Sequence, residues 1–324
     1  MRRCPCAVVL FAFAILAATA RGEAYAQGYP AKPVRIIVPN ATSGLADICA
    51  RLVAARLGDS LGQPFLVDNR PGAGGTLGTA AAVKAAPDGY TLLAVFDSHA
   101  ANPALFRNLP YDTLADLAPV SLLARGPLVL VVNPGLGLGT LDQLVTLAKS
   151  KPGAVNFASV GPGSPARLLM ELLKLEAGIE VTMVPYKGAG IALGDLVSGQ
   201  VQAMFATVPS VSSHLKTGRL RALAITSPRR SAVLPGVPAM SETYPGFASE
   251  AWVGLLAPAK TPPGIVARLN AEVAKVLELP DTKMRLAELG LEAAPGTPEA
   301  LDRLIRSEME RWSRVIRDQG ITLE

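Results

Sequence analysis

Short runs of β-forming residues alternate with helical stretches along most of this chain, and this alternation constrains the possible folds more than any other feature. The first example is the strand-like run at 34–38, which leads through a short polar loop into an amphipathic helix at 47–61. Alternation of this kind is typical of α/β folds with largely parallel sheets. The same pattern predicts further strands at 64–68, 91–96, 128–133, 154–159, 180–185, 201–206, 220–226 and 252–257, and helices at 76–86, 141–150, 165–177, 189–198, 211–217, 263–279, 281–289 and 298–319.

The predicted elements are enough for two lobes. No flexible or low-complexity linker separates them, so we expect the lobes to be joined by strands, with crossings near 126–132 and 221–227. The second lobe is then an insertion of about a hundred residues, which is a typical domain size. The resulting division is a signal peptide at 1–26, the first part of lobe 1 at 27–125, lobe 2 at 126–224 and the return of lobe 1 at 225–324.

Residues 1–26 have the features of a cleaved secretory signal. A positively charged start and an apolar stretch at 7–20 precede Ala24-Tyr25-Ala26, which matches a cleavage site. The alternative is a membrane anchor, but the apolar stretch is shorter than the roughly 20 residues that span a bilayer. We therefore expect an exported, periplasmic protein that is cleaved near Ala26.

Composition narrows the classes of function. Lysines and arginines outnumber acidic residues by 31 to 26, but they are scattered and form no cluster interleaved with aromatic residues, so nucleic-acid binding is not expected. Outside the signal the sequence has one cysteine, Cys49, and two histidines, His99 and His214, which do not make a metal-ligand pattern. Nucleophile-elbow, phosphate-loop and dinucleotide motifs are absent from the sequence. We expect no metal, no cofactor and no enzymatic activity.

Two loops have the composition of anion-binding sites. The first loop, 40–44, precedes the helix near Asp47, and the second loop, 159–164, precedes the helix that starts at Pro165. A loop that follows a strand and opens a helix presents backbone N–H groups and the positive end of the helix dipole. In open α/β sheets ligands bind beyond the carboxyl ends of strands, where both loops fall. The alternative is that both are ordinary strand–helix turns, whose Ser, Thr and Gly residues serve only capping.

Charged side chains near these loops also allow two interpretations. Asp47 is expected to be a helix-start residue rather than a catalytic acid, because carboxylates favour the first turn of a helix. Arg167 follows the second loop and is either a bidentate clamp for a carboxylate or a solvated or structurally paired arginine. Asp97, Ser98 and His99 form a local trio, but neighbours at a strand end point in different directions, so a catalytic triad is not expected.

The segment Asp68-Asn69-Arg70-Pro71-Gly72-Ala73-Gly74-Gly75, followed by Ala86-Pro87-Asp88-Gly89-Tyr90-Thr91-Leu92-Leu93, resembles the signature of the Bug-type periplasmic solute-binding proteins. These proteins are the substrate-binding components of tripartite tricarboxylate transporters. Supporting blocks follow at 101–106, 109–112, 118–120, 184–188, 199–201, 218–224, 255–258 and 269–270. The resemblance implies a two-lobed, type II periplasmic-binding-protein-like fold, with the ligand cleft between the lobes and two crossing strands as the hinge. It also implies a small carboxylate ligand, held through backbone amides, hydroxyls and ordered water.

The chain departs from the usual family pattern at several positions near the expected cleft. Asn40 replaces a common Phe in the first loop, and Asp97 replaces a common Thr. In lobe 2, Pro162 and Arg167 replace common Asn and His residues, and the pair at 206–207 replaces a common Asp-Asn pair. The loss of that acidic residue disfavours an amino-acid ligand, and the identity of the ligand does not transfer through these changes.

We therefore expect an exported, monomeric solute-binding protein that closes around a mono- or dicarboxylate and serves membrane transporter subunits. The alternatives are a binding protein for a non-carboxylate solute, a sensory binding protein that docks on a receptor, and a His99-dependent hydrolase. The candidate ligand-binding residues are Asn40, Ala41, Thr42, Ser43, Gly44, Asp47, Ser98 and Asn102 on lobe 1, and Ser159, Gly163, Ser164, Arg167 and Thr207 on lobe 2.

Overall fold

The computed structural model of the protein describes residues 28–42, 44–160, 163–186, 188–232 and 234–321. The predicted signal peptide at 1–26 lies outside these residues. The strands are β1 Val34–Val38, β2 Phe65–Asn69, β3 Thr91–Phe96, β4 Leu117–Val132, β5 Asn156–Val160, β6 Thr182–Tyr186, β7 Ala203–Thr207, β8 Arg221–Ile225, β9 Glu250–Pro258 and β10 Glu292–Ala293. The helices are α1 Leu45–Leu61, α2 Thr76–Val83, α3 Ser98–Leu105, α4 Leu141–Ser150, α5 Pro165–Ala177, α6 Ala189–Ser198, α7 Val208–Lys216, α8 Pro263–Glu278, α9 Pro280–Glu288 and α10 Pro298–Asp318.

The strands form a mixed sheet rather than a largely parallel one. Across the described ranges their order is β2-β1-β3-β9-β4-β7-β5-β6, and β8 and β10 also pair with β4. β1 is parallel to β2 and β3, and β5 is parallel to β6 and β7, as strand–helix alternation predicts. The antiparallel pairs all involve β4 or β9, so the expectation of largely parallel sheets was wrong for the strands that connect the two halves.

β4 belongs to both halves of the sheet. Its residues 117–127 pair with β9, and its residues 128–132 pair with β7 and β8. The sequence pattern missed the first part of this strand because Pro119 and Pro127 interrupt it, and proline in a strand is confined mainly to edges and bulges. Here the register shifts just after Pro119, which accommodates that proline. The two halves are the lobes of an α/β fold: lobe 1 holds β1–β3, β9 and β10, and lobe 2 holds β5–β8.

The segment that leads from β8 in lobe 2 back to β9 in lobe 1 is hydrogen-bonded to β4 at Leu128, where β4 changes its partners. The backbone N–H of Thr226 donates to the carbonyl of Leu128 at 2.9 Å, and the Thr226 hydroxyl accepts from the Leu128 N–H at 2.9 Å. The Ser249 N–H then donates to the Thr226 carbonyl at 2.8 Å, one residue before β9 begins. Both connections between the lobes therefore meet near Leu128.

Alternating residues of each strand fill the cores on the two faces of the sheet. In lobe 1, Ile36 packs with α1 and α8, whereas Ile37 packs with α2 and the first half of α10. In lobe 2, Leu130 packs with α4 and α5, whereas Val131 packs with α6 and α7. Cys49 of α1 is fully buried in the first of these cores, as its position on the apolar helix face predicts, and burial raises the pKa of its thiol to about 12.

α10 contacts both lobes. Its residues Leu301 and Ile305 belong to the lobe 1 core, and Trp312 and Ile316 pack in the cluster that contains α4 and α5 of lobe 2. A helix of this length is about 30 Å long, which is enough to reach across two lobes. Among the described residues, no helix combines the length and apolar character that crossing a membrane requires.

Two helices differ from the sequence-based prediction because of proline. α3 was not predicted, because Pro103 lies inside it and the segment follows directly on a strand. α7 begins at Val208 instead of 211, with Pro209 in its first turn, where the missing N–H costs no hydrogen bond. Gly62 closes α1 with φ +70°, as its position after the predicted helix indicates.

Candidate functional site

The carboxyl ends of strands from both lobes converge on the middle of β4. Phe96 at the end of β3 is level with Val253 of β9, which is paired with Ala124 of β4. β4 then continues beyond the end of β3 to Leu128, which is paired with Thr207 at the carboxyl end of the antiparallel β7. The ends of β1 and β3 therefore face the ends of β5 and β7 across this crossing, which places the predicted ligand loops on opposite sides of one cleft.

The first loop leaves the start of α1 without a side-chain cap. Asn40 is half-buried, Ala41 and Thr42 are exposed, and Ser43 lies outside the described residues. Gly44 is the N-cap residue in an extended conformation, and as a glycine it has no side chain that could cap the helix. Helix N-terminal N–H groups lack partners within the helix, so a loop of this kind can bind an anion through its backbone.

Asp47 is engaged by protein partners behind that loop. Its side chain is buried, and its Oδ1 accepts from Arg51 Nε at 3.0 Å and from Asn69 Nδ2 at 2.9 Å. A carboxylate in the first helical turn also interacts favourably with the helix dipole. The contacts hold the beginning of α1 in place, and they give Asp47 a supporting position within the predicted ligand set.

The second pair of lobe 1 candidates lies at the end of β3. Ser98 is the first residue of α3, is half-buried and follows β3, the strand that pairs with β1. Asn102 is buried one turn further, and its Nδ2 donates to the carbonyl of Gly74 at 3.1 Å. Ser98 therefore lies at the carboxyl end of β3, whereas the Asn102 amide is directed at the glycine turn that precedes α2.

Asp97 and His99 point into the protein on either side of Ser98. Burial and the nearby carboxyl of Glu308 raise the pKa of Asp97 well above its ordinary range. His99 is only 3% exposed and stacks on Tyr111 at 6.5 Å between ring centres, and burial lowers its pKa to about 4. Neither ring nitrogen of His99 has a hydrogen-bond partner among the described residues, so the three neighbours form no proton relay.

The second loop is built around a capped helix start. Ser159 is buried at the end of β5, and Ser164 caps α5 by accepting from the Arg167 N–H at 3.3 Å. Residues 161–162 lie outside the described residues, and Gly163 is half-buried. Thr207 is the N-cap residue of α7, but its side chain makes no capping hydrogen bond. The Thr207 hydroxyl is therefore not used to close its own helix.

Arg167 projects from the first turn of α5 and is partly exposed. Its Nε is 3.7 Å from Oε1 of the buried Glu171, whose Oε2 lies 3.1 Å from Lys174 Nζ. The Nε itself has no hydrogen-bond partner among the described residues. Structural pairing and ligand binding are thus compatible, because a guanidinium has five N–H donors and Glu171 occupies only one side of it.

Arg51 and Asn69 were not among the predicted site residues, although they contact Asp47 directly. Asn69 belongs to the Asp68–Gly75 block that carries the family resemblance, so that block was the one available signal. Their positions follow from β2 lying beside β1, which a local sequence pattern does not specify.

The chain matches known binding proteins over nearly its whole length. Residues 49–321 match the family described as "Tripartite tricarboxylate transporter family receptor". The chain belongs to this family. It is 43% identical to Protein BugT of Bordetella pertussis over 302 residues, which cover 92% of this chain and 93% of BugT. The resemblance to Bug-type solute-binding proteins is thereby confirmed.

Solved structures support the same fold. Rpa4515 of R. palustris, in a structure with adipate, is 34% identical to this chain and has a TM-score of 0.80. The match covers 91% of this chain and 100% of Rpa4515. MatC of Rhodopseudomonas palustris, with bound malate, is 36% identical to this chain and has a TM-score of 0.76. The match covers 89% of this chain and 100% of MatC. The two-lobed binding-protein fold is thereby confirmed, and the chain is a solute-binding receptor of the tripartite transporter type.

Proposed function

We propose that this receptor captures a small mono- or dicarboxylate in the periplasm and delivers it, as a monomer, to the membrane subunits of a tripartite tricarboxylate-type transporter. The observation that carries this function is the pair of loops at helix starts that face each other across β4. The relatives with adipate and malate support a carboxylate as the ligand class. Receptors of this family are periplasmic, which supports the predicted export.

The proposed binding set divides between the lobes. On lobe 1, the uncapped amides after Gly44 and the hydroxyls of Thr42 and Ser98 contact one end of the ligand. On lobe 2, Ser164 with the α5 start, Arg167 and the Thr207 hydroxyl contact the ligand from the other side. Hydrogen bonds from backbone N–H or guanidinium to a carboxylate are roughly twice as strong as neutral ones.

Closure of the lobes around the ligand follows from this division. A ligand that contacts both lobes binds the closed state more tightly than the open state, and it shifts the population by that difference in affinity. We propose the predicted boundaries for the moving parts, with lobe 2 at 126–224 between the two parts of lobe 1. The change of partners on β4 after Pro127 and the attachment of Thr226 to Leu128 support a hinge at this place.

We further propose that the receptor has no catalytic activity. The hydrolase alternative depends on His99, and that side chain is buried against Tyr111 with a lowered pKa instead of lining the cleft. A general base must lie within hydrogen-bond reach of the proton that it removes. Incubation of the protein with carboxylate esters and amides should therefore give no more turnover than a His99→Ala variant gives.

Thermal unfolding of the mature protein with a panel of ligands tests the function. The panel contains adipate, malate, monocarboxylates, tricarboxylates, amino acids and neutral sugars. A ligand at a hundred times its dissociation constant raises the free energy of unfolding by about 2.7 kcal/mol, which gives a clear increase in the melting temperature. We expect this increase with at least one mono- or dicarboxylate and with none of the neutral compounds.

A matched pair of variants ties the binding to the cleft. Thr207→Val removes a hydroxyl at the carboxyl end of β7 and should reduce the ligand-induced shift. Thr182→Val makes the same change at the exposed amino end of β6, away from the cleft, and should leave the shift unchanged. If only neutral compounds stabilised the protein, the ligand would be an uncharged solute and the proposed carboxylate ligand would be wrong. No stabilisation by any compound would refute the function as stated.

A further inference from the structure

We propose that Asn69, Gly75 and Gly78 position the first ligand loop, so that the segment from Asn69 to Gly78 sets ligand affinity without touching the ligand. This inference rests on the proposed function, because it concerns the same cleft. It also gives the Asp68–Gly75 block, which identifies the family, a physical role in binding.

Asn69 ties the first loop to the start of α1. Its Nδ2 donates to the backbone carbonyl of Asn40 at 3.2 Å and to Asp47 Oδ1 at 2.9 Å. Its Oδ1 accepts from Arg51 Nη2 at 2.7 Å, and Arg51 Nε donates to Asp47 Oδ1 at 3.0 Å. One amide thus holds the first residue of the loop and the first turn of the helix at a fixed separation.

The pairing of β2 with β1 positions Asn69 beside the first loop. Val38, the last residue of β1, is paired with Asn69, the last residue of β2, and the Arg70 N–H donates to the Val38 carbonyl at 2.8 Å. β2 therefore remains hydrogen-bonded to β1 up to the residue before Pro39. The Asn69 side chain reaches the loop immediately after the strand pairing ends, where the backbone would otherwise lose its support.

Two glycines at the start of α2 contact the base of the same loop: Gly75 is the N-cap residue and Gly78 lies in the first turn. A Cβ on Gly78 would lie 2.8 Å from the Cα of Pro39 and 2.6 Å from the carbonyl oxygen of Arg70. A Cβ on Gly75 would lie 3.3 Å from the carbonyl oxygen of Pro39, and Gly75 has φ +92°. Both contacts are with backbone, which cannot rotate away as a side chain can. The α2 backbone therefore lies directly against the base of the loop, and only glycine permits this approach.

This arrangement bears on ligand binding in two ways. The donors of the first loop are backbone N–H groups, so their directions depend on the backbone position, and a shift of about 0.5 Å degrades such a site. In addition, Asp47 is an acid in the helix turn that would receive an anionic ligand. Arg51 and Asn69 hold its Oδ1, which offsets its repulsion of a carboxylate.

Calorimetric titration of Asn69→Ala, with adipate and malate as probes, tests the positioning role. We expect an affinity loss of about tenfold or more, equivalent to one or two hydrogen bonds. The matched control is Asn133→Ala. The Asn133 amide also donates to two backbone carbonyls, those of Leu196 at 2.8 Å and Val197 at 3.2 Å, but it lies in lobe 2 away from the loop. The control should lose stability similarly and change affinity by less than about twofold.

A swapped variant separates positioning from stability. Asn69→Asp combined with Asp47→Asn restores a donor–acceptor pair between the two positions and an acid for Arg51, but the tie to the Asn40 carbonyl remains broken. We expect this double variant to recover most of the stability that Asn69→Ala loses while its affinity stays low. Affinity that rises and falls with stability in all three variants would overturn the proposal, because the network would then be only structural.

Hydrogen exchange without ligand keeps the test independent of the proposed function. In Asn69→Ala, the amides of Ile48 and Arg70, which donate to the carbonyls of Gly44 at 3.0 Å and Val38 at 2.8 Å, should exchange at least about tenfold faster than in the unmodified protein and in Asn133→Ala. If no carboxylate binds the unmodified protein, the proposed function fails, and this exchange difference still decides whether Asn69 holds the loop. Unchanged exchange at Ile48 and Arg70 would overturn the positioning role whatever the ligand.

Discussion

The two ligand loops are supported in different ways. The first loop is held by neighbouring elements, namely the Asn69 amide from β2 and the backbone of α2 at Gly78. Among the described residues, the second loop is held by β6, which pairs with its first two residues, and by its own helix through the Ser164 cap on the Arg167 N–H. The first loop therefore depends on a side chain and a close backbone contact from other elements, whereas the second depends on strand pairing and on the cap of its own helix. Changes to the support should therefore affect lobe 1 more strongly.

The buried acids near the two loops also differ, because one lies between basic side chains and the other lies near a second acid. Glu171 in lobe 2 lies between Arg167 at 3.7 Å and Lys174 at 3.1 Å. Asp97 in lobe 1 faces the carboxyl of Glu308, and its Oδ1 has no hydrogen-bond partner among the described residues. A buried acid beside a second acid is costly when ionised, and here burial and Glu308 outweigh the backbone hydrogen bond from Ser98, so Asp97 contributes a pH-dependent penalty to folding.

The largest expected effect comes from filling the space beneath the first loop. Gly78→Ala should lower the free energy of unfolding by about 3 kcal/mol, because the added methyl group meets backbone atoms of Pro39 and Arg70. Gly194→Ala is the matched change in a lobe 2 helix, where a Cβ meets nothing within 4 Å, and it should be neutral or stabilising by up to about 1 kcal/mol. Chemical denaturation measures both changes. Equal effects would show that the first loop is not tightly supported.

The next effect tests a contact between the lobes. A Cβ on Gly290, in lobe 1, would lie 3.1 Å from Cβ of Val208 and 3.0 Å from Cδ of Pro209, at the start of α7 in lobe 2. Gly290→Ala should cost about 2 kcal/mol, half from its φ of +66° and half from this contact. Gly218 has φ +69°, but an added Cβ there would meet nothing within 4 Å. Gly218→Ala should therefore show only the part of the free-energy cost that comes from the backbone conformation. Calorimetric titration should show weaker carboxylate binding for the first variant alone.

The buried acids should respond to substitution with opposite signs. Asp97→Asn should raise the free energy of unfolding at pH 7 by about 1 kcal/mol, whereas Glu171→Gln should lower it by a similar amount because Arg167 and Lys174 lose the buried negative charge between them. The pKa of Asp97 is higher in the folded state than in the unfolded state, so Asp97 destabilises the fold only when the pH is above its ordinary pKa near 4. This destabilisation grows as the pH rises towards the raised pKa. The gain from Asp97→Asn should therefore vanish as the pH is lowered to 4 in denaturation experiments. A gain that does not depend on pH would contradict this assignment.

The smallest expected effect is on the local support of the second loop. Ser164→Ala should cost about 0.5 kcal/mol, below the usual value for a cap because its hydrogen bond is 3.3 Å long. Thr140→Ala removes an equally long cap at α4, also in lobe 2. Both variants should melt alike, and only Ser164→Ala should bind carboxylates more weakly. Equal affinity in the two variants would remove Ser164 from the binding set.

Much of the fold could be predicted from residues close together in the chain. The bounds of β1, β3, α4, α5 and α6 were predicted correctly, because α4 and α5 are amphipathic and capped, α6 lies between two glycines, and β1 and β3 are short apolar runs. The first part of β4 and the whole of α3 were missed, because proline weakens the local signal and tertiary pairing overrides it. The antiparallel direction of β4 and β9 also depends on pairing between distant segments.

The candidate site shows the same division. The two loops were located correctly at helix starts beyond strand ends, whereas the roles of Asn69 and Asn102 were not apparent. Asn69 lies 29 residues from its partner Asn40, and Asn102 lies 28 residues from Gly74. Such contacts exist only after strands and helices have packed.

The sequence alone determined the α/β class, the positions of both loops and the family, because local propensity and a contiguous signature specify each of them. Only the tertiary structure decided how the loops face each other and what holds them. Those features depend on β4 exchanging partners at Leu128, on α10 packing against both lobes and on the backbone of α2 touching Pro39. Each is a contact between segments far apart in the chain, and its energy becomes available only when the entropy of bringing them together has been overcome.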